Sequence, residues 1–185
     1  MEILFYAVYL FWLGSEIYIA RRRAKSTDKQ NADRGSLYLL WIVLIIGNIV
    51  SLKISNQTEY YISQSVVIQY LGLGIILLGV LLRLIIVRSL GQYFTVNVTI
   101  RESHQLKTDG FYTHVRHPSY SALILSFMGF GVSLNNWMSL AVVTICAFGS
   151  FLYRINLEEK VLIDHFGQEY LDYRKKTRRL IPFIF

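Results

Sequence analysis

Val66–Val87 reads VVIQYLGLGIILLGVLLRLIIV and carries a single charge, Arg83. A helix needs about 20 mostly apolar residues to cross a bilayer, and this run supplies them. Four more apolar runs lie around it. Ile3–Ala20 contains one acid, Glu16, near its end, and Leu37–Leu52 contains no charge at all. Tyr120–Leu134 and Trp137–Tyr153 are parted only by Asn135-Asn136. These last two are short, and they read as a tilted helical hairpin. Trp41, Tyr60, Tyr61, Trp137 and Tyr153 fall near run ends, where amphipathic rings settle at the membrane interface. Composition agrees: 54% of the chain is hydrophobic and only 17% charged. A water-soluble core of this length could not hide so much apolar surface, so a soluble enzyme is disfavoured. The expectation is an all-α, polytopic membrane protein with about five spans.

The basic residues sort by loop. Arg21, Arg22, Arg23, Lys25, Lys29 and Arg34 follow the first run. Arg88, Arg101, Lys107 and Arg116 follow the third, and Lys160, Arg174, Lys175, Lys176, Arg178 and Arg179 follow the fifth. The intervening loops hold just Lys53. With five spans all three basic segments share one side. The positive-inside rule makes that side cytoplasmic and places the N-terminus outside, with the plasma membrane as the expected location. The first run has no basic segment before it and a basic cluster after it, the reverse of a secretory signal, so it reads as a retained helix. The net charge of +7 thus has a membrane explanation, and no nucleic-acid partner is expected. Cys146 is the only cysteine, and no metal-ligand spacing is present.

Two parts emerge. Residues 1–87 read as a transmembrane scaffold, and residues 88–185 as the region carrying the chemistry. Within the latter, Leu157–Lys176 reads as a separate amphipathic helix on the cytoplasmic surface. Its apolar positions are Val161, Leu162, Phe166, Tyr170 and Tyr173, and Gly167 marks a bend. The densest polar cluster is GFYTHVRHPSY at 110–120. Pro118 suits the first position of a helix, and the free amides of that turn favour an anionic or polar ligand. Arg154 and Glu158 stand four residues apart and share a helix face. A capped interfacial helix and a surface ion pair are the plain alternatives for these two clusters. Gly72 and Gly74 read as helix packing, Arg83 as a side chain snorkelling to the interface, and Cys146 as a small apolar filler.

Taken in order, these motifs resemble the isoprenylcysteine carboxyl methyltransferase family. They are Leu90-Gly91 through Phe94-Thr95, His104-x-Leu106, and Gly110-x-Tyr112-x-x-x-Arg116-His117-Pro118-Ser119-Tyr120. Glu158-Glu159 with Leu162, Phe166-Gly167, Tyr170 and Tyr173 follows, then Arg179 to Pro182. The resemblance covers about the C-terminal half. It implies an integral membrane enzyme that uses S-adenosylmethionine without a Rossmann domain. Carried over by position, it implies cofactor contacts at His104, Leu106, Lys107, Tyr112, His117, Pro118, Ser119, Tyr120 and Glu158, with Thr99 as a further candidate. It places Arg154 toward substrate and reaction centre. Lys107 departs from the small apolar residue common in relatives, and eukaryotic relatives carry extra helices near the N-terminus.

The implied reaction is methyl transfer to the carboxylate of a lipophilic, isoprenylcysteine-type small molecule or lipidated acceptor entering from the bilayer. Arg154 would grip that carboxylate through a forked contact. Phe111, Tyr112 and Tyr120 would line the adenine or sulfonium pocket, where cation–π attraction suits the charge. An amine or thiol acceptor is the first alternative, and it would need a base such as His117 or Glu158. A nicotinamide-dependent reductase of the sterol-reductase type is the second. A non-catalytic adaptor or transport subunit is the third, although no repeat supports transport.

Overall fold

The structure is a computed structural model, and it describes residues 2–23, 34–91 and 106–182. Six α-helices make up these segments: α1 (Glu2–Arg23), α2 (Arg34–Gln57), α3 (Val67–Leu90), α4 (Pro118–Ser133), α5 (Trp137–Phe166) and α6 (Gln168–Lys176). A short 3-10 turn at Gly110–Tyr112 precedes α4. Four helices are long and apolar enough to cross a membrane: α1, α2, α3 and α5. The protein is therefore an all-α polytopic membrane protein.

The expectation of about five spans narrows to four at α4. This helix has 16 residues, so it rises about 24 Å at 1.5 Å per residue, less than the roughly 30 Å of a hydrocarbon core. It runs antiparallel to α3. A Cβ on Gly72 would lie 2.2 Å from the Ser133 amide nitrogen, and one on Gly79 would lie 2.7 Å from the Ala122 carbonyl. The two backbones thus touch where glycine permits it, as small-residue seams do in membranes. Gly74 faces open space instead. The first turn of α4 meets Arg83, which donates to Ser119. α3 continues past that level to Leu90, so α4 starts more than a turn inside the end of its partner.

The second correction concerns α5. It runs unbroken for 30 residues from Trp137 to Phe166, so no separate helix starts at Leu157. Gly167, at φ 54°, ends it, and only the nine residues of α6 follow. Tyr170 and Tyr173 of α6 are buried against protein.

The core is aromatic and aliphatic. Trp12 stacks edge-on against Phe127 with ring centroids 4.8 Å apart, and Tyr9 meets Phe130 at 5.0 Å. Ile76, Val80, Val143 and Ala147 complete it. Cys146 fills the seam where α5 meets Gly47 of α2.

The ends of the bundle differ. At one, Asn135 takes the left-handed conformation at φ 51°, and Asn136 caps α5 by accepting from the Ser139 amide at 3.0 Å. The same Asn136 donates to Thr58 Oγ1 at 2.9 Å, and Asn135 pairs with both backbone groups of Ser63. At the other end lie the last turns of α1 and α3, the first turns of α2 and α4, and the lower part of α5. The contacts that place them there are Glu16–Arg83, Ser36–Arg154 and Arg83–Ser119. The helix ends that adjoin all three basic segments therefore gather at one end.

Candidate functional site

Three charged groupings meet at that second end. The first is built on Arg83, which does not snorkel. It is 8% exposed, and its guanidinium grips the Glu16 carboxylate with two bonds, Nε to Oε1 at 2.6 Å and Nη2 to Oε2 at 2.9 Å. Nη1 donates to Ser119 Oγ at 2.7 Å and to the Ser119 carbonyl at 3.3 Å. An ionised side chain is retained at such depth when it is paired. Here the pair ties α1 and α3 to the turn that opens α4.

The second grouping centres on Glu159, whose carboxylate is nearly fully buried. It accepts from Arg116 Nε and from Arg179 Nη2, each at 2.9 Å. Arg116 also donates from Nη1 to the carbonyls of Thr177, at 2.5 Å, and Arg174, at 3.2 Å. These contacts fold residues 177–180 back beneath α4. The backbone closes the same clasp: the Arg116 amide donates to Arg178, the His117 amide to Arg179, and the Arg178 amide to His114. Ser121 Oγ donates to the Leu180 carbonyl.

The third grouping is His117, Tyr120, Arg154 and Glu158. His117 Nδ1 lies 3.8 Å from Glu158 Oε2, and its Nε2 lies 3.5 Å from Glu159 Oε1. The rings of His117, Tyr120 and Phe151 form a column, with centroid spacings of 5.8 and 5.3 Å. The Tyr120 hydroxyl faces both Glu158 and Arg154. Arg154 is 1% exposed, and its Nη1 donates to Ser36 Oγ. Tyr112 is buried beside them; burial and the nearby Glu158 charge push its phenol above the ordinary range.

Most expected site residues therefore converge. Tyr112, His117, Pro118, Ser119, Tyr120, Arg154 and Glu158 share one region, while His104 and Thr99 lie outside the described residues. Leu106 and Lys107 are both half-buried, and Lys107 is ion-paired at 2.8 Å with the exposed Asp109. Phe111 is exposed, whereas Tyr112 is buried. The amides of Tyr120 and Ser121 already close onto the His117 carbonyl, so that turn offers fewer free donors than its sequence suggests. Glu16, Ser36 and Glu159 are additions. Glu16 carried a signal as an acid within an apolar run, and Glu159 as half of the Glu158-Glu159 motif; Ser36 carried none.

Three buried polar atoms in this region have no hydrogen-bond partner: His117 Nε2, Glu158 Oε2 and the Tyr170 hydroxyl. Buried polar atoms are nearly always satisfied in a finished structure; Tyr9, Asn48, Gln69, Thr144 and Ser150 each leave one such atom elsewhere, and what distinguishes this region is that three gather beside charged groups. Among the described residues no His, Cys, Asp or Glu group could hold a metal ion.

Fold and site together define a polytopic membrane protein with a polar, partly unsatisfied cradle inside one end of its bundle. A family model described as isoprenylcysteine carboxyl methyltransferase (ICMT) matches residues 70–164. The chain belongs to that family. A probable protein-S-isoprenylcysteine O-methyltransferase of Oryza sativa subsp. indica is 34% identical over 119 residues, covering 63% of this chain and 62% of the relative. The protein-S-isoprenylcysteine O-methyltransferase of Schizosaccharomyces pombe is 37% identical over 120 residues, 64% of this chain and 51% of its own. Among solved structures, a eukaryotic intramembrane Ras methyltransferase ICMT matches with a TM-score of 0.66 at 27% identity, over 95% of this chain and 63% of that one. The matched stretches thus span less than two thirds of these proteins.

Proposed function

We propose that the protein is an S-adenosylmethionine-dependent methyltransferase that esterifies the carboxylate of an isoprenylcysteine-type, lipophilic acceptor. The observation that carries this reading is the cluster of unpartnered polar atoms on His117, Glu158 and Tyr170, set against the aromatic column of Tyr120. The residues fit the cofactor. Glu158 Oε2 is an acceptor awaiting a donor, such as an ammonium or ribose hydroxyl. The ring of Tyr112 suits a sulfonium, and Tyr120, held between His117 and Phe151, would reach the donor through its hydroxyl. Leu106, Lys107, Pro118 and Ser119 complete the set by position, with His104 from the family resemblance. Residues 88–185 then supply most cofactor contacts, and the scaffold of residues 1–87 adds Glu16, Ser36 and Arg83.

When bound, S-adenosylmethionine supplies a methyl on positively charged sulfur, which a carboxylate oxygen takes as the C–S bond breaks. The acceptor is already ionised near neutral pH, so no side chain has to remove a proton. The protein's task is alignment and exclusion of water, which is worth roughly 7–11 kcal/mol of barrier when geometry is well held. Arg154 provides the alignment. Ser36 and Tyr120 hold the buried guanidinium in place, and its fixed planar charge is what would orient the acceptor carboxylate. The short α4 leaves room for an apolar chain to enter from the bilayer. With the basic segments on the cytoplasmic side, the N-terminus is outside and the cradle faces the inner leaflet.

The test uses the full chain in lipid nanodiscs with labelled S-adenosylmethionine and S-farnesylcysteine bearing a free carboxylate. Saturable donor binding and base-labile methyl ester formation are expected. Absence of donor binding overturns the reading. Transfer to an amine or thiol compound instead of the carboxylate overturns the acceptor class alone.

A further inference from the structure

We propose that the Tyr170 hydroxyl is a binding contact for the amino-acid end of the methyl donor, donating a hydrogen bond to its carboxylate while Glu158 Oε2 accepts from its ammonium. The inference rests on the methyltransferase reading and extends it to a residue in α6. The argument begins with a comparison inside one helix. Tyr173 and Tyr170 are both buried, and their rings meet edge-on at 6.0 Å. The Tyr173 hydroxyl donates to the Tyr112 carbonyl at 2.6 Å, which is what a structural tyrosine does. The Tyr170 hydroxyl, with its residue only 1% exposed, bonds to nothing. Leaving it there costs free energy that a phenylalanine would not, so packing alone does not account for it.

Its surroundings select the missing partner. The charged groups facing Tyr170 are Glu159, Arg116 and Glu158. Glu159 is answered by two guanidiniums, Arg116 and Arg179, which leaves a surplus of positive charge on that side. Glu158 Oε2 is unanswered on the other. One orphan donor beside surplus cations and one orphan acceptor on a carboxylate make a site for a zwitterion. The α-amino acid group of S-adenosylmethionine presents that pair of charges on one carbon. Glu158 and Tyr170 reach it from α5 and α6, across the break at Gly167.

The experiment compares wild type and Tyr170→Phe in nanodiscs, using S-adenosylmethionine and its decarboxylated analogue as probes. Wild type should bind the full donor roughly tenfold or more tighter than the analogue, as a hydrogen bond to a charged group allows. Tyr170→Phe should lose about that factor for the full donor and keep its affinity for the analogue within about twofold. Its ligand-free thermal midpoint should stay level or rise, because the hydroxyl has no partner to lose. Tyr173→Phe serves as the contrast: it should lower the midpoint and weaken both probes alike. Equal losses for both probes in Tyr170→Phe, unchanged affinity, or a lowered ligand-free midpoint overturn the inference and leave the methyltransferase reading standing. Failure of wild type to bind either probe overturns both.

Discussion

The two ends of this bundle use polar residues in opposite ways. At the Asn135-Asn136 end most side chains answer another: Asn136 caps α5 and reaches Thr58, Asn135 clasps Ser63, and the Trp137 amide donates to the Tyr60 carbonyl, with Gln69 Oε1 left over. At the opposite end the charges are stronger, yet His117 Nε2, Glu158 Oε2 and the Tyr170 hydroxyl are unanswered. Both ends face the same need to satisfy polar groups as helices leave the bilayer. One comes close to solving it and pins α4 to α5. The other stops short, and the incompleteness separates a binding site from a structural turn. Variants should therefore divide by end, with stability effects alone at the first and ligand-dependent effects at the second.

Glu159 is the exception that sharpens this contrast, because it is structural at the functional end. Glu159→Ala leaves Arg116 and Arg179 without their carboxylate. Breaking a buried pair costs about 3–5 kcal/mol, and the partial exposure of Arg179 favours the lower part of that range. Thermal unfolding in detergent should show the largest loss of any variant considered. Protease cleavage near Thr177 should accelerate, since Arg116 no longer anchors both the carboxylate and the tail. A stability equal to wild type would mean the clasp is held by the backbone alone.

Arg154→Ala should separate binding from chemistry. Turnover should fall about 100-fold or more, the scale of losing one alignment contact, while donor affinity changes little. The measurement pairs steady-state rates with direct donor binding. Unaltered turnover would remove Arg154 from the reaction and reduce it to a bridge between α5 and Ser36.

At the other end, Asn136→Ala should cost about 1–2 kcal/mol through the lost cap and the unpaired Thr58 hydroxyl, read as a lower unfolding midpoint. Donor affinity and turnover should hold at temperatures where the fold is intact. A selective drop in donor affinity would break the division between the ends.

How much of this was legible depends on sequence distance. The hairpin break at Asn135-Asn136, the helix start at Pro118 and the bend at Gly167 are local, and local chemistry announces them. Arg154 and Glu158 share a face by helical spacing. The Glu16–Arg83 pair joins residues in different apolar runs, and nothing local distinguishes a paired arginine from a snorkelling one. The continuation of α5 beyond Tyr153 was hidden for another reason. Charge begins there, but charge changes the solvent a helix meets and does not break its backbone; Gly167 does. Tyr170 and Tyr173 kept their apolar spacing, yet spacing cannot say whether the face they share meets lipid or protein.

The smallest effect belongs to Lys107. The family resemblance implies a cofactor contact at this position, and the geometry limits what its side chain can add. Its ammonium lies 2.8 Å from the Asp109 carboxylate, whose side chain is 78% exposed, so water screens whatever charge it offers a ligand. If this position touches the cofactor, it does so through its backbone, which tolerates many side chains. Lys107→Ala should therefore leave donor affinity within about twofold at 0.15 M salt. A tenfold loss that disappears at high salt would show instead that the lysine leaves Asp109 when the donor binds. The functional end would then extend beyond the buried cradle to its surface rim.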